Sequence, residues 1–197
     1  MPQIEYFYSL LSPFTYLAGL GLEEVAASHQ VEIVYRPTDI AKVLAETGGL
    51  PVPQRHPARQ EYRLQELMRL SSMNEAPLKT KPKHWPVDAT MASCAVLCVI
   101  KNGGPAGVIS HALLKACWAQ DRDISDQATV AAVLAEHGQD IGDMDTAVKD
   151  ALPEYQANTQ RALDQGVFGA PFYIVDGERF WGQDRLGHLD WHLGKVR

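Results

Sequence analysis

Strand-like patterns occur only near the two ends of this chain of 197 residues. Near the start, residues 4–8 and 31–35 each alternate β-forming side chains with others. Between them, Ser12 and Pro13 are typical of a helix start, and apolar spacing predicts a helix to about Ser28. This strand–helix–strand order predicts a parallel strand pair joined by a right-handed crossover.

The other strand signals lie at the far end of the chain. Residues 171–176 form an apolar, β-rich run, the Asp176-Gly177 pair is a two-residue hairpin signal, and residues 178–181 supply the return strand. We expect helices on both sides of this hairpin, over residues 153–165 and 184–193.

The middle of the chain shows helical patterns alone. No strand pattern occurs between residues 38 and 166, and helices are predicted over residues 59–70, 90–102, 108–119, 126–137 and, more weakly, 143–150. The sequence therefore predicts an α/β protein with one small sheet built from both ends. We expect residues 1–40 and 153–197 to form this part, with 41–152 as an inserted helical domain.

Composition excludes several classes of protein. Hydrophobic residues make up 46% and charged residues 21%, which excludes wholesale disorder. The net charge of -6 gives no indication of nucleic-acid binding. No apolar run approaches the 18 residues of a membrane span. The first residues carry Glu5 and no positive charge, unlike a signal peptide, so we expect a cytoplasmic protein with free thiols.

Three short segments carry the candidate chemistry. In the first, residues 12–15, Ser12 precedes a helix start, where its hydroxyl can donate to an anion or serve only as an N-cap. In the second, residues 169–172, Pro171 opens a strand and is either cis or trans. In the third, residues 180–185, Asp184 is either a helix cap or the partner of a ligand ammonium.

The three segments together resemble a known family. A strand–helix start with S-P-F-T, a long helical insertion, then G-V-F-G-A-P-F and a hairpin into F-W-G-Q-D-R are similar to the thioredoxin superfamily. Within it the chain resembles the disulfide-oxidoreductase-like branch that holds kappa-class glutathione transferases and bacterial 2-hydroxychromene-2-carboxylate isomerases. The resemblance implies a thioredoxin-like fold with an inserted all-helical domain, and a homodimer.

The resemblance also implies roles for particular residues. Redox members have C-x-x-C where this chain has residues 12–15 without a thiol, which excludes dithiol exchange. By likeness, Ser12 beside Pro13 holds the sulfur of glutathione as the catalytic residue. The backbone of Ala170, before a cis Pro171, pairs with the tripeptide, and the γ-glutamyl end lies on Gln183 and Asp184.

The implied function is glutathione-dependent cis–trans isomerisation of 2-hydroxychromene-2-carboxylate or a similar intermediate in the breakdown of naphthalene-like aromatics. Two alternatives stay open: a glutathione transferase that keeps the sulfur on its product, and a non-catalytic binder of glutathione or peptide. The chain departs from the family at residues 47–49, Thr-Gly-Gly, where relatives often have Thr-Gly-Asn. No substrate-binding residue is assigned.

Other polar and thiol groups have a plainer interpretation beside the functional one. Cys94 and Cys98 are one helical turn apart, like His188 and His192, but buried or solvated side chains on a helix explain both pairs without a metal. Two basic stretches could hold a substrate carboxylate, although solvated loop charge is commoner. They comprise Arg55, His56 and Arg59, and Lys79, Lys81, Lys83 and His84 with Trp85.

Overall fold

A four-stranded mixed sheet lies at the centre of the protein. The structure, a computed structural model, describes residues 2–195. The strands are β1 (Gln3–Tyr8), β2 (Glu32–Pro37), β3 (Phe172–Val175) and β4 (Glu178–Trp181). The helices are α1 (Pro13–Leu17), α2 (Gly21–His29), α3 (Ile40–Glu46), α4 (Pro57–Met73), α5 (Thr90–Lys101), α6 (Ala106–Trp118), α7 (Gln127–Glu136), α8 (Met144–Asp164) and α9 (Leu186–Lys195).

The sheet joins the two ends of the chain, which confirms the predicted α/β class and thioredoxin-like fold. The strand order is β2-β1-β3-β4, with β1 parallel to β2 and antiparallel to β3. The predicted hairpin between β3 and β4 turns at Asp176 (φ 49°) and Gly177 (φ 86°), as a tight type I′ turn requires. Among the described residues between 38 and 166, every regular element is a helix or a 3₁₀ turn.

Both faces of the sheet are covered by helices. Alternate residues of β1 point to opposite faces of the sheet and belong to two different hydrophobic cores. Tyr6 and Tyr8 share one core with residues of α5, α6 and α9, whereas Phe7 shares the other with residues of α3 and α8. The loops that carry Ser12 and Ala170 adjoin β1 and β3 and are anchored by this packed sheet.

Two of the predicted helices have different bounds in the structure. The single helix expected over residues 13–28 breaks at Gly19, whose φ of 60° ends α1 after five residues. The two helices expected over 143–150 and 153–165 are one helix, α8, with Pro153 inside it. Packing of α8 on α5, α3 and β2 supports the turn from which Pro153 removes a hydrogen bond.

Helix α3 was not predicted, although its signals are in the sequence. Asp39 caps it by accepting from the N–H groups of Ala41 and Lys42, and Val43 is fully buried. The predicted division into residues 1–40 plus 153–197 and residues 41–152 stays a prediction. Helix α8 runs without a break across its second boundary. Within residues 2–195, no helix has the length and apolar character that crossing a bilayer demands.

Glu5 on β1 ties the sheet to the helical layer. Its carboxylate accepts from Arg161 Nε at 2.6 Å and Arg36 Nε at 2.7 Å. Partial burial alone would raise the pKa of Glu5, but these hydrogen bonds and charges outweigh it and lower that pKa below its usual 4.5. The ionised form therefore stabilises the folded state.

Replacing Glu5 with glutamine should lower the free energy of unfolding by roughly 1.5–3 kcal/mol at pH 7, because charge-assisted hydrogen bonds are lost. A carboxylate with a lowered folded pKa contributes stability above its unfolded pKa and loses it as the pH falls through the folded value. The difference in unfolding free energy between the native chain and Glu5→Gln should therefore be smaller in strong acid than at pH 7. Urea unfolding at pH 7 and in strong acid checks this, and an equal difference at the two pH values would contradict it.

Candidate functional site

Ser12 lies in the loop that leaves β1 and begins α1. Its Oγ accepts a hydrogen bond from the Thr15 N–H at 3.2 Å, so the predicted N-cap is present. The same hydroxyl donates to the Ala170 carbonyl at 3.0 Å, and Ser12 is 8% exposed. Ser12 is thus both a cap and a contact to the second candidate segment, 158 residues along the chain.

The second and third segments are joined by the sheet. The Ala170–Pro171 peptide is cis, as the resemblance implied. The Gly182 N–H donates to the Pro171 carbonyl at 3.0 Å, one step beyond the pairing of Phe172 with Trp181. The three candidate segments therefore meet at one edge of the sheet, and Gln183 follows directly from that contact.

Asp184 lies in a 3₁₀ turn, Gln183–Arg185, directly before α9, and among residues 2–195 no backbone N–H donates to its carboxylate. Its carboxylate accepts from the neighbouring Arg185 at 2.6 Å, and the Asp184 side chain is 56% exposed. An exposed pair of adjacent residues adds little stability. The carboxylate of Asp184 is therefore accessible to an ammonium group, and its role there stays a prediction.

Two adjacent cavities open onto these segments. One, of about 550 Å³, lies between α4 and residues 181–185. The other, of about 260 Å³, has Ser12 and Pro13 in its wall and is mostly apolar. They share the residues Phe14, Arg55, Arg63, Ala170 and Trp181. A larger cavity of about 740 Å³ lies on the other side of Gln183 and Asp184, but Ser12 does not line it.

The two cavities differ in the chemistry they can bind. Gln183, Asp184 and Ala170 line the larger of the pair together with several arginines, so this cavity suits an extended, charged peptide. Aromatic and aliphatic side chains line the smaller one, which suits a flat apolar ring. Ser12 stands beside the second cavity, so a group bound along Ala170 would reach a ring held there.

Among the basic residues singled out in the sequence, only some lie at the site. Arg55 and Arg59 line the larger cavity. In the second basic stretch, residues 79–85, Lys79 pairs with Asp121 and His84 with Asp123. Trp85 is the one residue of that stretch that lines the smaller cavity. Trp85 is fixed there by its Nε1–H, which donates to the Leu11 carbonyl at 3.0 Å.

The Thr-Gly-Gly stretch that departs from the family does not line either cavity. A Cβ at Gly49 would come within 2.4 Å of Leu44 Cδ2 and 3.3 Å of its backbone Cα. An asparagine at this position therefore requires the Leu44 side chain to move aside and its backbone to give slightly. Part of the wall of the smaller cavity comes instead from residues just beyond the Thr-Gly-Gly stretch, Pro51, Val52, Pro53 and Arg55.

The three cysteines are remote from this chemistry. None of them lines either cavity, and burial raises the pKa of Cys94 to about 11 and of Cys117 to about 12. Burial also raises the pKa of Cys98. In the part of the chain that the structure describes, no three His, Cys, Asp or Glu side chains are grouped as a metal site, including those around His188 and His192.

A variant with Cys94, Cys98 and Cys117 replaced by serine or alanine should keep the glutathione-dependent turnover that the resemblance implies. Thiols with raised pKa values are not nucleophiles at neutral pH. The expected change is in packing, about 1 kcal/mol of unfolding free energy per buried site. Turnover and urea unfolding, measured side by side, check this, and a folded but inactive triple variant would point to a thiol mechanism of the protein itself.

The fold and this site define a class: a thioredoxin-fold protein whose redox position holds Ser12 in place of a thiol. The chain belongs to the DsbA-like thioredoxin domain family, whose model matches residues 3–194. Within that family it belongs to the branch of 2-hydroxychromene-2-carboxylate isomerases and kappa-class glutathione transferases, which confirms the resemblance.

Particular relatives show how far the likeness extends. The chain is 30% identical to 2-hydroxychromene-2-carboxylate isomerase of Sphingobium xenophagum, over 96% of this chain and 97% of that one. It is 23% identical to glutathione S-transferase kappa 1 of Rattus norvegicus, over 98% and 91%. A solved structure of a 2-hydroxychromene-2-carboxylate isomerase superposes with a TM-score of 0.82 at 23% identity, covering 98% of this chain and 95% of that one.

Proposed function

We propose that the protein is a glutathione-dependent cis–trans isomerase acting on 2-hydroxychromene-2-carboxylate or a similar intermediate of aromatic degradation. The observation that carries this is the meeting of Ser12, the cis Ala170–Pro171 peptide and Gln183–Asp184 at one pair of cavities, with no cysteine in their walls. The isomerase relative at 30% identity supports the same reaction class.

The residues present fit glutathione. The γ-glutamyl ammonium would lie against the exposed Asp184 carboxylate, with the γ-glutamyl carboxylate at the Gln183 amide. The backbone of Ala170 would pair with the peptide as an added strand does. Because Ser12 contacts Ala170 directly, a cysteinyl group paired at Ala170 would come within reach of the Ser12 hydroxyl.

When bound, glutathione would supply a thiolate that adds reversibly to a conjugated C=C bond, which becomes single, rotates and re-forms when the same thiolate is expelled. Ser12 stabilises that negative charge. Its one proton goes to the Ala170 carbonyl in this structure, but a thiolate is a charged and stronger acceptor. The Thr15 N–H remains on the Ser12 oxygen and makes the hydroxyl a better donor.

Ionisation alone cannot account for catalysis. A thiol with a pKa of about 8.5 is roughly 10% ionised at pH 7.5, and lowering that pKa to about 6.5 makes it roughly 90% ionised. The gain is at most about tenfold, so positioning must contribute more. Helix α1 has only five residues, so its dipole is smaller than the predicted longer helix would provide, and the Ser12 hydroxyl carries a larger share.

The experiment that tests this function follows the absorbance of 2-hydroxychromene-2-carboxylate with and without glutathione while free thiol is counted. An isomerase approaches equilibrium only with glutathione present and leaves the thiol concentration constant. Thiol consumed in step with substrate would instead identify a glutathione transferase like the kappa-class relatives. Bound glutathione without any conversion would leave a binding module. The homodimer and the cytoplasmic location stay predictions.

A further inference from the structure

Arg63 on α4 is buried without an acidic partner. It lies on the same helix stripe as Leu67, which is fully buried, and Arg63 itself is 8% exposed. Arg36, Arg69, Arg122 and Arg161 each pair with a glutamate. Among residues 2–195, no carboxylate comes within 4.0 Å of the Arg63 guanidinium, and no side-chain hydrogen bond from it is formed. The guanidinium therefore presents an unpaired positive charge in the wall of both cavities, where an anionic ligand would gain a charge-assisted pair.

The charge next to Arg63 has the same sign. Burial and, to a smaller extent, the nearby charge of Arg55 together lower the pKa of Arg63 to about 10. Arg55 is itself partly committed, because its Nε–H donates to the Leu50 carbonyl at 2.8 Å. Since a guanidinium stays protonated at neutral pH, the two side chains make a positive field in the shared wall of both cavities.

The surroundings of Arg63 select for a flat molecule. Its guanidinium carbon lies 5.4 Å from the centre of the Trp85 ring, which holds the group by a cation–π contact. Trp85 also lines the smaller cavity with other apolar groups, Phe14, Ile40, Leu44, Phe168 and Trp181. A planar unsaturated acid could place its ring among these side chains and its carboxylate at Arg63, in the bidentate geometry that arginine favours.

We propose that Arg63 binds the carboxylate of the substrate, a planar unsaturated acid whose ring occupies the smaller cavity. This deepens the proposed function, on which the identity of the acid rests. Ser12 and Arg63 both line that cavity, so the acid is held with its conjugated bond between the sulfur position and the guanidinium.

The test measures binding in the absence of turnover. Calorimetry compares trans-cinnamate with the neutral cinnamamide, which has the same ring and no charge. The native chain should bind cinnamate roughly tenfold or more tightly than the amide, and Arg63→Gln should abolish that preference. Arg69→Gln, a change on the same helix at an exposed arginine paired with Glu66, should leave the preference intact. An undiminished preference in Arg63→Gln would overturn the proposal.

A second arm separates the acid from the other carboxylate available, the glycyl end of glutathione. Glutathione and its glycyl amide are compared on the same variants, and both should bind Arg63→Gln as they bind the native chain. If Arg63→Gln instead lost only its preference for free glutathione over the amide, the assignment to the acid would be overturned and the glycyl carboxylate would occupy the site.

The stability of the variant distinguishes a loss of binding from a loss of folding. Removing an unpaired charge leaves no buried partner, so the melting temperature of Arg63→Gln should be equal or higher. If that variant fails to fold, Arg63→Lys keeps the charge without the bidentate fork and should show an intermediate preference, whereas an unchanged one would overturn the proposal. A cinnamate preference that depends on Arg63 would stand even if the isomerase assay were negative.

Discussion

Replacing Ser12 with alanine should slow turnover by roughly ten- to more than hundredfold. The loss of one hydrogen bond to a thiolate costs about 1.5–3 kcal/mol, and that bond is expected to act in the transition state. Some activity should survive, because the free N–H groups at the start of α1 remain near the sulfur. Initial rates at saturating glutathione check this result.

The control for Ser12→Ala removes a helix cap elsewhere. Asp126 accepts from the Thr129 N–H as Ser12 accepts from Thr15, but it begins α7, away from both cavities. Asp126→Ala should lower the unfolding free energy by about 1 kcal/mol and leave the rate unchanged. If Ser12→Ala behaves in the same way, Ser12 is only a cap.

Replacing Asp184 with asparagine should weaken glutathione binding by roughly ten- to more than hundredfold. The change removes a charge-assisted contact of about 1.5–3 kcal/mol to the γ-glutamyl ammonium. The fold should lose little, because the structure shows only an exposed pair with Arg185 and no capping bond. Calorimetry gives the affinity, and the melting temperature without ligand gives the stability.

The matched control for Asp184→Asn is Asp190→Asn on α9. Asp190 is also exposed, and it pairs with His29 rather than with a cavity. Its replacement should leave glutathione affinity unchanged. A drop in melting temperature at unchanged affinity in Asp184→Asn would show that the carboxylate serves the fold and not the ligand.

Local patterns in the sequence located the strands and the three candidate segments, because a strand, a turn or a helix start depends on residues that are neighbours in the chain. Alternation predicted β1 and β2, Asp176-Gly177 predicted the hairpin, and Ser12 with Pro13 predicted the start of α1. The chain pairing that brings Ser12 to Ala170 is a long-range contact, and the family resemblance supplied it rather than any local signal.

Features that depend on packing were missed. Pro153 was expected to begin a helix, but contacts of α8 with its neighbours keep one helix continuous through it. Arg63 lies in step with Leu67 on the buried stripe of α4, a spacing visible in the sequence. That its charge has no partner depends on where Trp85 and Arg55 fold, which the spacing does not show.

The most direct measurement of the proposed chemistry is an ultraviolet titration of the thiolate of glutathione bound to the protein. In the native chain the thiolate absorbance should appear at a pH well below the usual thiol pKa of about 8.5, because Ser12 donates to the charged form. In Ser12→Ala the midpoint should move to higher pH. A midpoint near 8.5 in both proteins would contradict a site in which Ser12 stabilises the sulfur as an anion.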